Sequence, residues 1–216
     1  MTQPILLLLL LVHAPWVGAE ATEPFERMVL DGALDVTIAH ADRPNVTVLG
    51  GEALLARTTV EVSDGVLYVS APRDERVTLL VELDQLVELV SRGSAQVRAF
   101  KVGGEQLVIE STGAGQFEFD QLDVHELALY GQGAAIFRMS GSADRQIIQL
   151  DGAGQVEAQA LVTRSSEVSV RGTGEVALQA LEHLQVDVAG SARVYYTGAP
   201  HVARQIRGAG LIQAVR

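Results

Sequence analysis

Residues 172–178 read Gly-Thr-Gly-Glu-Val-Ala-Leu: a glycine, one residue, a second small residue, and then alternating apolar side chains. The same pattern recurs in segments that begin at Gly93, Gly113, Gly131, Gly152, Gly172, Gly190 and Gly208. Successive segments are spaced by 20, 18, 21, 20, 18 and 18 residues. A period of about twenty residues is typical of a repeat architecture, in which each unit buries its apolar face against its neighbours.

The alternation after each glycine predicts a strand. In the unit at Gly152, the small or apolar residues Gly154, Val156 and Ala158 alternate with polar ones, and side chains on a strand alternate between two faces. A glycine suits a tight corner between strands, where a positive φ or a close backbone contact disfavours a Cβ. We therefore predict an all-β fold, a right-handed parallel β-helix (β-solenoid) with about 18–21 residues per coil and almost no helix. The residues expected to be buried are Val156, Val176, Val186, Val188 and Val194, and those expected at corners are Gly152, Gly172 and Gly190.

Charged residues support this register. If coils stack in register, residues at equal positions in successive repeats are neighbours, like cross-strand pairs in a sheet. Opposite charges stand at equal positions in three pairs: Asp151 and Arg171, Glu175 and Arg193, and Arg98 and Glu118.

The first residues differ from the rest of the chain. Residues 5–12 form an aliphatic run that is too short to span a bilayer, and small residues follow at Ala19 and Ala21. We predict a signal peptide over residues 1–21, cleaved after Ala19 or Ala21; a buried amino-terminal strand is the alternative. The mature chain, residues 22–216, is expected to form one domain, with an irregular part at 22–90 and regular coils at 91–216. We expect it to be exported, to the periplasm, the cell surface or the extracellular space.

The composition excludes several functions. A net charge of −11 argues against nucleic-acid binding and against binding to anionic lipid, both of which favour a basic surface. The chain has no cysteine, so it holds no disulfide, thiol nucleophile or thiolate metal site. We expect no stable membrane insertion of the mature chain.

No catalytic, cofactor or metal site is predicted. His40, His125, His183 and His201 are scattered without the spacing of a zinc site, and the glycine-rich corners complete no dinucleotide or calcium-binding motif. Two weaker candidates remain. Glu118 and Glu157 share a repeat position two coils apart, roughly 10 Å by strand spacing, which is near the upper end for an inverting glycosidase. A small carbohydrate or peptide contact is the second candidate, formed by Tyr130, Tyr195 and Tyr196, of which Tyr196 falls in the core register.

The order of the motifs resembles a known family. GALDVTI at 32–38 is followed by VTVLGGEALL at 46–55, SDGVLYVS at 63–70, the repeated glycine units, GSARVYYTGAP at 190–200 and RGAGLIQAV at 207–215. From about residue 25 to 216 this order resembles the head GIN domain of putative auto-transporter adhesins. The resemblance implies an exported bacterial β-solenoid and implies no catalytic residues.

These observations favour an exported, non-enzymatic scaffold or adhesion-type binding module of the bacterial cell envelope. Its expected partners are a cell-surface glycan or an envelope protein. The alternatives are a carbohydrate-active β-helix enzyme, either a lyase or a glycosidase, and a self-associating envelope protein. We expect a monomer rather than an end-to-end dimer, because Arg204, Arg207 and Arg216 flank the last repeat and repel a second copy. Leu211, at an outward position of that repeat, would be the apolar contact in a dimer.

Overall fold

The computed structural model describes residues 16–19 and 23–215, with side chains described from residue 23 onward. Apart from residues 16–19, the predicted signal peptide lies outside the described residues. Strand makes up 74% of the model and helix 2%, which confirms the predicted all-β solenoid of stacked parallel coils. The elements in chain order are β1 (Trp16–Ala19), β2 (Arg27–Gly32), β3 (Leu34–His40), β4 (Asn45–Leu49), α1 (Glu52–Leu55), β5 (Thr59–Ser63), β6 (Val66–Ser70), β7 (Val77–Leu83), β8 (Glu88–Gly93), β9 (Gln96–Phe100), β10 (Gly103–Gly113), β11 (Gln116–Gly133), β12 (Ile136–Gly152), β13 (Gln155–Gly172), β14 (Glu175–Gly190), β15 (Arg193–Thr197), β16 (His201–Gly208) and β17 (Leu211–Ala214).

The corner glycines form one column along the solenoid. Parallel register places in line Gly32, Gly93, Gly113, Gly133, Gly152, Gly172, Gly190 and Gly208. Gly172 shows why no side chain is tolerated there: its φ is +115°, and a Cβ would lie 2.4 Å from the carbonyl oxygen of Gly152. The predicted corners at Gly152, Gly172 and Gly190 are confirmed.

The prediction of a corner at Gly131 was wrong, because the corner of that repeat is Gly133. Gly131 instead pairs with Ser111 and Leu150, two positions before the corner. A Cβ on Gly131 would lie 2.8 Å from Leu150 Cδ2 and 3.1 Å from the ring of Phe137, so this glycine leaves room for core side chains. With Gly133 as the corner, the spacings become 20, 20, 19, 20, 18 and 18, which is more regular than the sequence pattern suggested.

Each regular coil has three straight stretches. In β11 the inward residues alternate as Phe117 and Phe119, then Leu122, then Leu127 and Leu129, and each change of phase marks a bend. We call the stretch from seven to one residues before a corner glycine the pre-glycine face, and the stretch from three to seven residues after it the post-glycine face. The register between neighbouring coils shifts in the return between these two faces, so differences in coil length are absorbed there.

The amino-terminal part is more ordered than predicted, and it stacks out of sequence order. The coil of β2 and β3 lies between the coil of β8 and β9 and the coil of β6 and β7. Outside β6 and β7 lie the antiparallel strands β5 and β4, and β1 pairs antiparallel with β4. The turn at Asp64 and Gly65 joins β5 to β6, as its sequence indicates. These strands and α1 close this end of the core, where Val46, Val48 and Leu54 are buried.

The core is one continuous apolar cluster along the solenoid. The five predicted core valines at 156, 176, 186, 188 and 194 are all at most 1% exposed, as expected. One polar residue interrupts the cluster: Gln146 is fully buried, and neither its side-chain oxygen nor its side-chain nitrogen has a hydrogen-bond partner. In the last described coil, by contrast, the inward positions Val202 and Ile206 are 37% and 42% exposed. No helix in the described residues has the length and apolar character needed to cross a membrane.

The predicted charge pairs confirm the stacking register. Asp151 is the register partner of Arg171, Glu175 of Arg193, and Arg98 of Glu118. The last two pairs also form ion pairs, with N–O distances of 3.7 and 3.9 Å. All these side chains are substantially exposed, so each pair stabilises the fold by well under about 1 kcal/mol.

Candidate functional site

The pre-glycine face carries columns of outward polar side chains. Residues at equal distances before the corner glycine are register partners, so they repeat along the solenoid at about 4.8 Å, the spacing of paired strands. Seven positions before the glycine, the column is Gln106, Glu126, Arg145, Ser165, His183 and His201. Three positions before it, the column is Tyr130, Gln149, Ser169, Asp187 and Gln205. One position before it, the column is Gln132, Asp151, Arg171, Ala189 and Arg207.

Two depressions on this face join into one groove. The first, of about 330 Å³, is lined by Tyr130, Asp151 and Arg171 among others, and the second, of about 490 Å³, by His183 and His201 among others. Glu167 and Gln185 line both depressions, so the two are continuous. We call this surface, from Tyr130 to His201, the polar groove.

The groove owes its depth to small side chains on β13. Ser165 lies between the longer side chains of Arg145 and His183 in one column. Ser169 lies in the same way between Gln149 and Asp187 in another. Two serines on the same coil therefore leave a notch across the face, walled by amide, carboxylate, guanidinium and imidazole groups.

Ion pairs hold several of the charged groups in place. Arg145 donates to Glu126 and to Glu167, each at 3.4 Å, and Arg207 donates to Asp187 at 2.6 Å. These carboxylates are thereby fixed as hydrogen-bond acceptors. Asp151 and Arg171 differ: they are exposed register partners, and neither has an ion-pair partner among the described residues. Their polar groups remain available to a ligand.

The predicted histidines do not come together at one centre. His183 and His201 stack in the groove, with ring centroids 6.0 Å apart. His125 lies at a bend with its Nδ1 2.8 Å from Asp144, and the Nδ1 of His40 is 3.1 Å from the backbone oxygen of Asp84. Across residues 16–19 and 23–215, no three acidic or histidine side chains are grouped in a way that would hold a metal ion.

Glu118 and Glu157 lie two coils apart, as predicted, but on the post-glycine face and with Arg138 between them. Arg138 Nε is 3.1 Å from Glu157, and Arg98 Nε is 3.9 Å from Glu118. The sequence register based on Gly131 had placed Ile136 at this position. The two glutamates are therefore members of a ladder of alternating charges, and they do not face each other across an open site.

The three predicted tyrosines are also separated. Tyr130 is half-buried and lines the polar groove, whereas Tyr195 is on the post-glycine face and Tyr196 packs against the core. Sequence reasoning missed Gln149, Asp151 and Arg171. The signal was present: counting from Gly133 puts Tyr130 in one column with Gln149, and counting from Gly131 does not.

Comparison with known families gives the identity of the fold. The family model described as "Putative auto-transporter adhesin, head GIN domain" matches residues 24–200. The chain belongs to this family. No curated protein matches the sequence of this GIN domain.

Solved structures share the GIN-domain fold at low sequence identity. A putative adhesin from Bacteroides fragilis NCTC 9343 is 19% identical, with a TM-score of 0.84, and the match covers 93% of this chain and 97% of that one. A putative adhesin from Parabacteroides distasonis ATCC 8503 is 20% identical, with a TM-score of 0.73 and coverage of 93% and 96%. A putative lipid binding protein from the same organism is 19% identical, with a TM-score of 0.67 and coverage of 89% and 93%. These likenesses establish the fold of this GIN domain.

Proposed function

We propose that the chain is an exported, non-enzymatic binding module of the bacterial cell envelope, of adhesion type, and that it holds its ligand in the polar groove. The observation that carries this proposal is the groove itself: a continuous concave surface of hydrogen-bonding side chains on a stiff solenoid face. Membership of a family described as adhesin heads supports the same role and an exported location.

The state of the acidic groups in the groove favours binding over catalysis. Glu167 and Asp187 are each held by an arginine, at 3.4 and 2.6 Å. A general acid or nucleophile must be free to exchange a proton or attack a substrate, whereas a carboxylate fixed by a guanidinium is suited to accept hydrogen bonds. The groove thus presents an ordered set of donors and acceptors.

The closed amino-terminal end favours a discrete module over a filament. Head-to-tail stacking of solenoids requires an open coil at both ends, so that the core continues from one copy to the next. Here β4, β5 and α1 cover the amino-terminal coil, and Val46 and Leu54 are buried beneath them. A second copy therefore finds no open core at this end.

The test is co-sedimentation of the purified protein with envelopes isolated from the bacterium that produces it. Replacement of Gln149 and Arg171 by alanine removes two groove side chains, and we expect the dissociation constant to rise by about tenfold or more. The matched control is Gln96→Ala with Gln116→Ala, two glutamines in register on the post-glycine face. Thermal unfolding checks that both variants are folded.

Two results would contradict this proposal. If the unmodified protein does not sediment with envelopes, the binding role is wrong. If the groove variant and the control variant bind as well as the unmodified protein, the ligand does not occupy the groove.

A further inference from the structure

We infer that the ligand of the polar groove is a linear glycan that lies along the solenoid axis, across successive coils. This inference rests on the proposed function, since it names the chemical class of ligand for the same groove. It follows from which groups the face offers, which it lacks, and how they repeat.

The backbone of the pre-glycine face has nothing to offer a peptide. The groove lies over β12, β13 and β14, and each of these strands is paired on both sides. Their N–H and C=O groups are consumed by the sheet, so a peptide cannot add to this face as a further strand. Other modes of peptide recognition need an apolar groove, an aromatic-lined groove for polyproline or a free arginine cluster. Arg145 and Arg207, two of the groove's arginines, are already engaged by carboxylates.

The side chains match the chemistry of sugar hydroxyls. A hydroxyl both donates and accepts a hydrogen bond, so neighbouring hydroxyls on a sugar ring suit planar groups with paired donors or acceptors. Gln149, Asp151, Arg171 and Gln185 supply two amides, a carboxylate and a guanidinium within one groove. An acyl chain would need an apolar lining instead.

Tyr130 adds an aromatic surface at one end of the groove. It is half-buried, so its ring is held by its surroundings while one part stays accessible. Aromatic rings contribute a large apolar contact at low entropic cost, and the apolar C–H face of a pyranose packs on such a ring. This arrangement gives the glycan a fixed starting point next to the hydrogen-bonding columns.

The repeat of the groove matches the repeat of a polysaccharide. Equivalent side chains recur at about 4.8 Å along the axis, close to the length of one sugar residue in an extended chain. From Tyr130 on β11 to His201 on β16 the groove crosses four coil steps, on the order of 20 Å. We therefore expect the groove to hold about four sugar residues, each over a different coil.

The test treats the isolated envelopes in two ways before co-sedimentation with the full-length protein. Periodate cleaves vicinal diols and so destroys most glycans, while proteinase K removes exposed protein. We expect periodate to abolish binding and protease to leave it unchanged. Binding that survives periodate but not protease would overturn the glycan inference while leaving the proposed binding role intact. Absence of binding to untreated envelopes would instead contradict the proposed function.

If both treatments abolish binding, the protein-free polysaccharide fraction extracted from the same envelopes is the deciding probe. Saturable binding of that fraction supports the inference, and its failure to bind overturns it. Substitutions at Tyr130 then test the location. Tyr130→Ala should weaken binding by about tenfold, Tyr130→Phe should keep it because the ring remains, and Tyr195→Ala on the other face should have no effect. Equal binding by the Tyr130→Ala variant and the unmodified protein would remove the predicted sugar contact.

Discussion

Phe117 and Phe137 stack on neighbouring coils, with ring centroids 5.1 Å apart and ring planes 17° from parallel. Both rings are at most 1% exposed, and they occupy the same position, four residues after their corner glycines. The stack fills the core beside the backbone of Gly131, where no space remains for a side chain. The identity of one residue in a repeat thus depends on a bulky residue six positions later.

This relationship predicts a measurable coupling. Gly131→Ala should destabilise the protein, because the new Cβ would lie 3.1 Å from the Phe137 ring. In a Phe137→Leu background the cost of Gly131→Ala should fall by about 0.5–1 kcal/mol, since the ring atoms nearest to the Cβ are gone. A double-mutant cycle measured by denaturant unfolding gives this coupling. Strict additivity of the two substitutions would contradict the packing described for Gly131.

The corner column predicts a larger effect at Gly172. Gly172→Val should reduce the free energy of unfolding by roughly 1–3 kcal/mol, through backbone strain and contact with the carbonyl of Gly152. Gly51→Val is the matched control, because a Cβ on Gly51 meets nothing within 4 Å. Thermal unfolding compares the two variants. An unchanged melting temperature for Gly172→Val would show that the corner does not require glycine.

The buried amide of Gln146 predicts a stabilising substitution. Its side-chain oxygen and nitrogen have no partners, and an unsatisfied buried polar group costs about 1–3 kcal/mol. Gln146→Leu keeps similar volume between Leu127 and Ser166 and should raise stability by an amount in that range. Gln149→Leu, the same change at an exposed position of the same strand, should alter stability little. A lower melting temperature for Gln146→Leu would indicate that the amide does have a partner in solution, such as a buried water.

One ion pair near the amino-terminal end predicts a pH dependence. A hydrogen bond from its own backbone N–H, together with the Arg57 guanidinium 3.0 Å away, lowers the pKa of Asp74. A carboxylate with a lowered folded pKa stabilises the protein above the unfolded pKa, and the effect is lost as the pH falls through the folded value. Asp74→Asn should therefore lower the melting temperature slightly at neutral pH and leave it unchanged at about pH 2. The adjacent substitution Glu75→Gln serves as the control, and a difference that persists in acid would contradict the assignment.

The exposed residues of the last described coil predict the oligomeric state. Leu211 is 43% exposed and Ile206 is 42% exposed, which favours self-association, but Arg204 and Arg207 lie on the same strand as Ile206. A two-fold contact through this coil would bring those arginines together with their copies. We expect a monomer in analytical ultracentrifugation at physiological salt. A stable dimer that dissociates on Leu211→Lys would reverse this expectation.

Much of the fold follows from local sequence, because each regular coil repeats the same corner and the same alternation. Val176 and Val188 are buried for reasons visible within a few residues of Gly172 and Gly190. The choice between Gly131 and Gly133 was not local, since it depends on the volume of Phe137 and Leu150 in three dimensions. The position of β2 and β3 was not local either, because their partners in β8 and β9 lie more than fifty residues later in the chain.

The polar groove was harder to predict than the core. Apolar side chains report burial wherever they occur, but Gln149, Asp151 and Arg171 differ in type and form one surface only when the coils are correctly aligned. Its depth depends on two serines, Ser165 and Ser169, that carry no functional signal by themselves.

The out-of-order amino-terminal coil also has a kinetic consequence. Consecutive corner glycines from Gly93 onward close loops of 18–20 residues, so each of these coils can form as soon as its own residues are available. Gly32 must wait for Gly93, a separation of 61 residues, which raises the closure entropy by about 1 kcal/mol. High sequence separation between contacts slows folding. In a chain that emerges from its amino terminus, the first coil to appear therefore stays unpaired until about residue 100 has followed, and the slowest step of assembly belongs to the end that ultimately closes the core.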